Sequence, residues 1–186
     1  MQGALGDLTC LLSHRPIADP AAIDWPALAD LALDRHRIGP TIAKAVLALD
    51  PPRVVAARFQ DDLEAAGFAA LSEKAETIRQ VEALRARGCD PVLLKGWPLA
   101  ERLFGSASLR HSKDIDFHLS PERVPSAITC LTEQGYAPVP GHRRRVKLVL
   151  RQVPSVLAET NDIAFYHPSG RQIELHWRLS QLSGWT

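Results

Sequence analysis

The tightest constraint on the fold is the stretch Asp114-Ile115-Asp116-Phe117-His118-Leu119, in which apolar and ionisable side chains alternate one for one. Strict alternation is the mark of a half-buried β-strand, because successive side chains on a strand point to opposite faces. Ile115, Phe117 and Leu119 then face a core, while Asp114, Asp116 and His118 share the other face. Two carboxylates on one strand face repel each other unless a cation or a proton sits between them. If both acids are exposed, replacing either by Ala relieves that repulsion and is expected to leave the fold intact.

The same logic returns near the end of the chain. Ile173, Leu175, Trp177 and Leu179 alternate with Glu174, His176 and Arg178. If the two strands lie side by side, Glu174 joins the two aspartates. Three carboxylates suit a hard divalent cation, Mg²⁺ first and Mn²⁺ as the alternative, which takes oxygen ligands and completes its shell with water and phosphate. His118 and His176 sit on the same faces and are expected to hydrogen-bond the carboxylates from outside the ligand set. A site of imidazoles and carboxylates for Zn²⁺ or Mn²⁺ is the lesser alternative. Trp177 is expected in the core.

Between and before these strands the chain alternates helical and extended signals. Residues 1–24 are weakly patterned, with Leu8, Leu11 and Leu12 suggesting a short helical turn. Asp24-Trp25-Pro26 opens a helix, since Pro is favoured in a first turn. Gly39-Pro40 leads into a second helix, Thr41 to Leu49, and Pro51-Pro52 breaks the chain. Two further helices are expected, from Val54 to Gly67 and from Leu71 to Arg87, with Gly88 as stop. Pro91 to Leu94 reads as a short buried strand, Lys95-Gly96 as a turn and Pro98 to Phe104 as a helix. Ser120-Pro121 caps a helix running to Gln134. The remainder reads as sheet, with strands at 146–150, 162–167 and 171–179.

The charges, 22 basic and 21 acidic, nearly cancel, which gives no reason to expect a general nucleic-acid binder. The basic run from His142 to Lys147 is either a solvated segment or a polyanion contact. Cys10, Cys89 and Cys130 are isolated and odd in number, which fits a reducing cytoplasm better than a disulfide framework. No apolar run reaches the length of a membrane span, and no signal peptide is expected.

The order Leu93-Leu94-Lys95-Gly96, Arg110, Asp114-Ile115-Asp116-Phe117, Gly135-Tyr136 and Glu174-Leu175-His176-Trp177 resembles an uncharacterised bacterial nucleotidyltransferase family related to the DNA polymerase β superfamily. His36-Arg37-Ile38-Gly39-Pro40 resembles the leading region of that family, so the likeness spans about residues 25 to 180. The resemblance implies an α/β (α+β) fold: a polymerase β-like core with a small mixed sheet flanked by helices, at 71–186, after an N-terminal helical region at 1–70. It implies Asp114, Asp116 and Glu174 as catalytic, metal-holding carboxylates. Lys95, Gly96, Arg110 and Lys113 are implied at the nucleotide phosphates, with ATP or another NTP as substrate. The acceptor is a hydroxyl on a small molecule, peptide, protein or RNA end, and the N-terminal helices are a place for a protein partner. Relatives usually carry Asp where this chain has Glu174, so a catalytically silent module that binds a nucleotide or a partner is the alternative.

Overall fold

A computed structural model describes residues 2–110, 112–139 and 153–178. The chain forms two compact units, one of residues 1–72 with 97–111 and one of residues 73–96 with 112–186. Among the described residues the fold is mixed α/β, with seven α-helices and a five-stranded mixed sheet.

The first unit is helical. It contains α1 (Gln2–Leu12), α2 (Trp25–Ala29), α3 (Gly39–Leu47), the first part of α4 (Arg53–Ala86) and α5 (Trp97–Phe104). α1 is a full helix where only a turn is expected from the sequence. Its Gly3 and Gly6 hide the signal, but Ala4, Leu8 and Leu11 are buried at four- and three-residue steps. Asp24 caps α2 by accepting from the Ala27 amide at 3.2 Å, as its position before Trp25-Pro26 predicts. α2 runs on into a wider π-helical turn, Asp30–Arg35. Arg58 on α4 bridges Asp30 and Asp34 of that turn at 2.9 Å each. Helix α4 corrects the expectation of two helices, because no break occurs between residues 67 and 71. A lone Gly costs a helix only about 1 kcal/mol relative to Ala, and the surrounding Ala, Glu, Lys and Leu outweigh Gly67.

The second unit positions the acidic strands. Its sheet is formed by β1 (Val92–Leu93), β2 (Asp114–His118), β3 (Ala137–Val139), β4 (Asp162–Tyr166) and β5 (Gln172–His176), in the order β1-β2-β5-β4-β3. The central pair β2 and β5 is parallel, and the other pairs are antiparallel. Ile115, Phe117, Ile163, Phe165, Ile173 and Leu175 form one continuous buried face, as alternation requires. Helix α6 (Val124–Glu133) packs Val124, Ala127, Ile128 and Leu131 into the same core. A 3-10 turn at Pro121–Arg123 precedes it, and Ser120 makes no side-chain hydrogen bond as its N-cap.

Two parts of the second unit depart from expectation. Residues Val153–Glu159, read as sheet, form helix α7. Val153, Val156 and Leu157 recur there at helical spacing and reach the core, while Pro154 sits in the first turn, where it is tolerated. Strand β3 falls in the stretch read as sheet, although it is not one of the three strands placed there, and Pro138 lies within it. Among the described residues it pairs on one side only, and an edge strand tolerates proline. The expected strand at 146–150, the basic run at 142–147 and Leu179 lie outside the described residues. Among the described residues no helix is long and apolar enough to cross a membrane.

Candidate functional site

The parallel register of β2 and β5 assembles the acidic face. Asp114 stands opposite Gln172, Asp116 opposite Glu174 and His118 opposite His176. The Leu119 amide donates to the His176 carbonyl at 2.9 Å, which extends this register one residue further. On the other side of β2, the Leu94 amide donates to the Asp116 carbonyl at 3.0 Å. That bond ends the β1 pairing and delivers the next side chain, Lys95, to the same face.

Asp116 is the centre of the arrangement and is only 1% exposed. Its Oδ1 lies 3.1 Å from His176 Nε2, and its Oδ2 lies 3.1 Å from Lys95 Nζ. Lys95 Nζ also stands 3.8 Å from Asp114 Oδ1. His176 Nε2 is 3.5 Å from Glu174 Oε2, and Glu174 Oε1 accepts from Gln172 Nε2 at 2.8 Å. The cation that lets two aspartates share a strand face is therefore supplied by the chain itself, as Lys95. This corrects the picture of two exposed, mutually repelling acids.

The charges follow from these contacts. Burial pushes the Asp114 carboxyl up, and the charge of Asp116 adds to that. Burial also pushes Asp116 up, but hydrogen bonds from His176 and Lys95 outweigh it and hold the carboxyl below its ordinary range. Glu174 is held down mainly by His176. His176 is raised to about 9 by Asp116 and Glu174, so it carries a proton at neutral pH. Among the described residues, Asp116, Glu174 and His176 form a group whose ligand atoms all lie within 4.8 Å of one another.

The uncharacterised nucleotidyltransferase family matches residues 21–185 of the chain. The chain belongs to that family. Membership supports transfer of a nucleoside monophosphate as the general reaction, a transferase as the enzyme class and a nucleotide as substrate. No curated protein and no solved structure matches the chain.

The Lys95-Gly96 pair lies just after β1. Gly96 is buried and adopts a φ of +89°, a left-handed conformation that favours glycine. A Cβ there would meet Glu73 Oε1 at 2.8 Å. The other residues expected at phosphates are placed differently. Lys113 is exposed on the segment that leads into β2 and makes no ion pair among the described residues. Arg110 is a half-buried member of the first unit, on extended backbone after the 3-10 turn Ala107–Leu109. His118 is half-buried at the end of β2, and its side chain joins no described ion pair. Trp177 is in the core as expected, 4% exposed, and its indole N–H reaches the Leu157 and Thr160 carbonyls.

Two groups escaped the sequence reading. Gln172, which orients Glu174, is legible in hindsight as its neighbour two residues back on the same strand face. The second is a buried polar knot around Glu76 on α4, which is 3% exposed. Its Oε1 accepts from Gln80 and from the Tyr136 hydroxyl at 2.7 Å each, its Oε2 accepts from Arg171 at 2.7 Å, and Arg79 bridges both oxygens. Burial pushes Glu76 up, but these donors outweigh it and hold the carboxyl down at about 2. Burial and Glu76 together push the Tyr136 phenol up. The partners come from distant parts of the chain, and no local pattern announces them.

Proposed function

We propose that the chain transfers a nucleoside monophosphate, AMP from ATP, to a hydroxyl-type acceptor, with a divalent cation held by Asp114, Asp116 and Glu174. The observation that carries this is the register that sets Asp116 opposite Glu174 on neighbouring parallel strands. The donor set fits Mg²⁺ or Mn²⁺. Asp116 Oδ2 is buried and lies against the Lys95 ammonium at 3.1 Å, so it already sits in a cationic environment that a divalent ion would take over. The carboxylate oxygens suit a hard ion.

Bound there, a divalent cation would offset charge on the phosphates and on the attacking and leaving oxygens. The protein's share of the work is positioning. Gly96 lets backbone approach a phosphate closely, and Lys95, with Lys113, offers positive charge to the polyphosphate. Glu174, ionised and oriented by Gln172, accepts the proton of the attacking hydroxyl as the oxygen bonds to the α-phosphorus and pyrophosphate leaves. His176 fixes Asp116 and Glu174 relative to each other.

The acceptor is a small molecule, peptide, protein or RNA end. Docking of a partner protein on the N-terminal helices and a cytoplasmic, bacterial setting belong to the same proposal. The free cysteines Cys10, Cys89 and Cys130 support a reducing compartment. The class is tested with labelled ATP, GTP, CTP and UTP in the presence of Mg²⁺ and candidate acceptors, following nucleotide binding and pyrophosphate release. ATP is expected to bind and turn over. Binding without turnover would point to a silent nucleotide-binding module, and no binding of any of the four by folded protein overturns the reading.

A further inference from the structure

Both oxygens of Asp116 are covered by cations of the chain itself. His176 Nε2 is 3.1 Å from Oδ1, and Lys95 Nζ is 3.1 Å from Oδ2. A divalent ion that takes Asp116 as ligand needs one of these oxygens at about 2.1 Å. It cannot share Oδ2 with an ammonium in direct contact, because the like charges repel. The two cations are not equally able to leave. His176 sits in β5, its side chain is 21% exposed, and a second carboxylate, Glu174, also holds it. Lys95 follows the last hydrogen bond of the β1 ladder, stands next to the Gly96 turn and is 42% exposed. Its flexible four-carbon stem lets the ammonium swing without disturbing the sheet.

We propose that Lys95 is a tethered counter-cation that competes with the divalent ion for Asp116 and is handed over to the polyphosphate when metal and nucleotide bind together. The inference rests on the metal reading of the site given above. It makes binding of the ion alone weak and binding of ion plus nucleotide strong. The ammonium displaced from Asp116 loses its partner in the first case and gains a phosphate in the second. The two ligands are thus coupled through one side chain, and the coupling is reciprocal.

The test is calorimetric titration of the full chain with Mn²⁺ alone, and then with a non-hydrolysable ATP analogue plus Mn²⁺. It compares the native protein, Lys95→Met and Lys95→Arg, with Lys95→Gln as a second neutral variant should Lys95→Met fold poorly by circular dichroism. The neutral variant is expected to bind Mn²⁺ alone about five-fold or more tighter and the analogue complex weaker by a similar factor. Lys95→Arg, which keeps the charge, should not gain affinity for Mn²⁺. Opposite shifts in one variant are the signature, because loss of a simple phosphate contact moves only the second titration. Unchanged or weakened Mn²⁺ affinity in the neutral variants overturns the handover while leaving the metal reading standing. Absence of Mn²⁺ binding in every protein overturns both.

Discussion

Asp116 and Glu174 face each other across the parallel strands β2 and β5, and His176 closes the gap between their carboxylates from the position after next on β5. Asp116 is nearly inaccessible to solvent, while Glu174 is half-buried. The two acids therefore differ in what their loss should do.

Asp116→Asn keeps the shape and removes the charge. Lys95 and His176 then face each other's charge without the group that separates them. Breaking a fully buried pair costs several kcal/mol, but both partners here reach solvent, so a loss of about 2 kcal/mol is expected. The denaturation midpoint in urea measures it. On the proposed reading, metal-dependent nucleotide binding disappears in the same variant. A protein that is fully stable and still binds the metal–nucleotide complex would remove Asp116 from the centre of the site.

Glu76 gives a pH signature of its own. Its folded carboxyl is held at about 2, below its ordinary 4.5. A depressed folded pKa contributes stability that is present above the unfolded value and is lost as pH falls through the folded one. The window is therefore pH 4.5 down to 2. Across it the native protein should lose on the order of 3 kcal/mol on account of this group. Glu76→Gln should be less stable at neutral pH and show a shallower acid limb in urea denaturation. Parallel acid limbs for the two proteins would contradict the assignment.

Gly96→Ala separates two costs at one position. The backbone at φ +89° penalises any L side chain, and the new methyl meets the tip of Glu73. A carboxylate tip on a flexible stem moves easily, so the backbone dominates and a loss of about 1–2 kcal/mol is expected. Adding Glu73→Ala should recover little of it. Full recovery in thermal or urea unfolding would mean that contact, and not conformation, keeps glycine there.

How much of this was legible from residues alone differs by element. Alternation in Ile115-Phe117-Leu119 and Ile173-Leu175-Trp177 located the strands and their buried faces, because period two is a local property. The Asp-x-Asp and acid-Leu-His-Trp pieces likewise pointed to the acids that β2 and β5 bring together. The parallel pairing, by contrast, depends on which strands become neighbours after the intervening crossovers, and no residue states it. Asp116 is held by Lys95 and His176, which arrive from the bend after β1 and from β5. Continuous α4 departs from expectation because Gly67, a local breaker, costs little at that position, and α7 because the helical spacing of Val153, Val156 and Leu157 is short and lies in a stretch read only as sheet. Glu76 was invisible because Tyr136 and Arg171 meet it only in the folded chain.

Glu174 is where binding and chemistry should come apart. Its Oε1 is held by Gln172 and its Oε2 faces protonated His176, so the side chain is oriented and ionised without being sequestered. Glu174→Gln preserves its length and its reach to Gln172 and removes the proton-accepting charge. If Glu174 receives the proton of the attacking hydroxyl, turnover should fall by about 10²–10⁴, the range for a lost general base. Nucleotide binding should fall less than about tenfold, since two aspartates remain to hold the ion. Gln172→Ala leaves the carboxylate charged and only loosens it, so its effect should run in the same direction and be smaller. Transfer at the native rate by Glu174→Gln, in a preparation whose Asp116→Asn counterpart is inactive, would assign the proton to another acceptor and leave Glu174 as a holder of the ion alone.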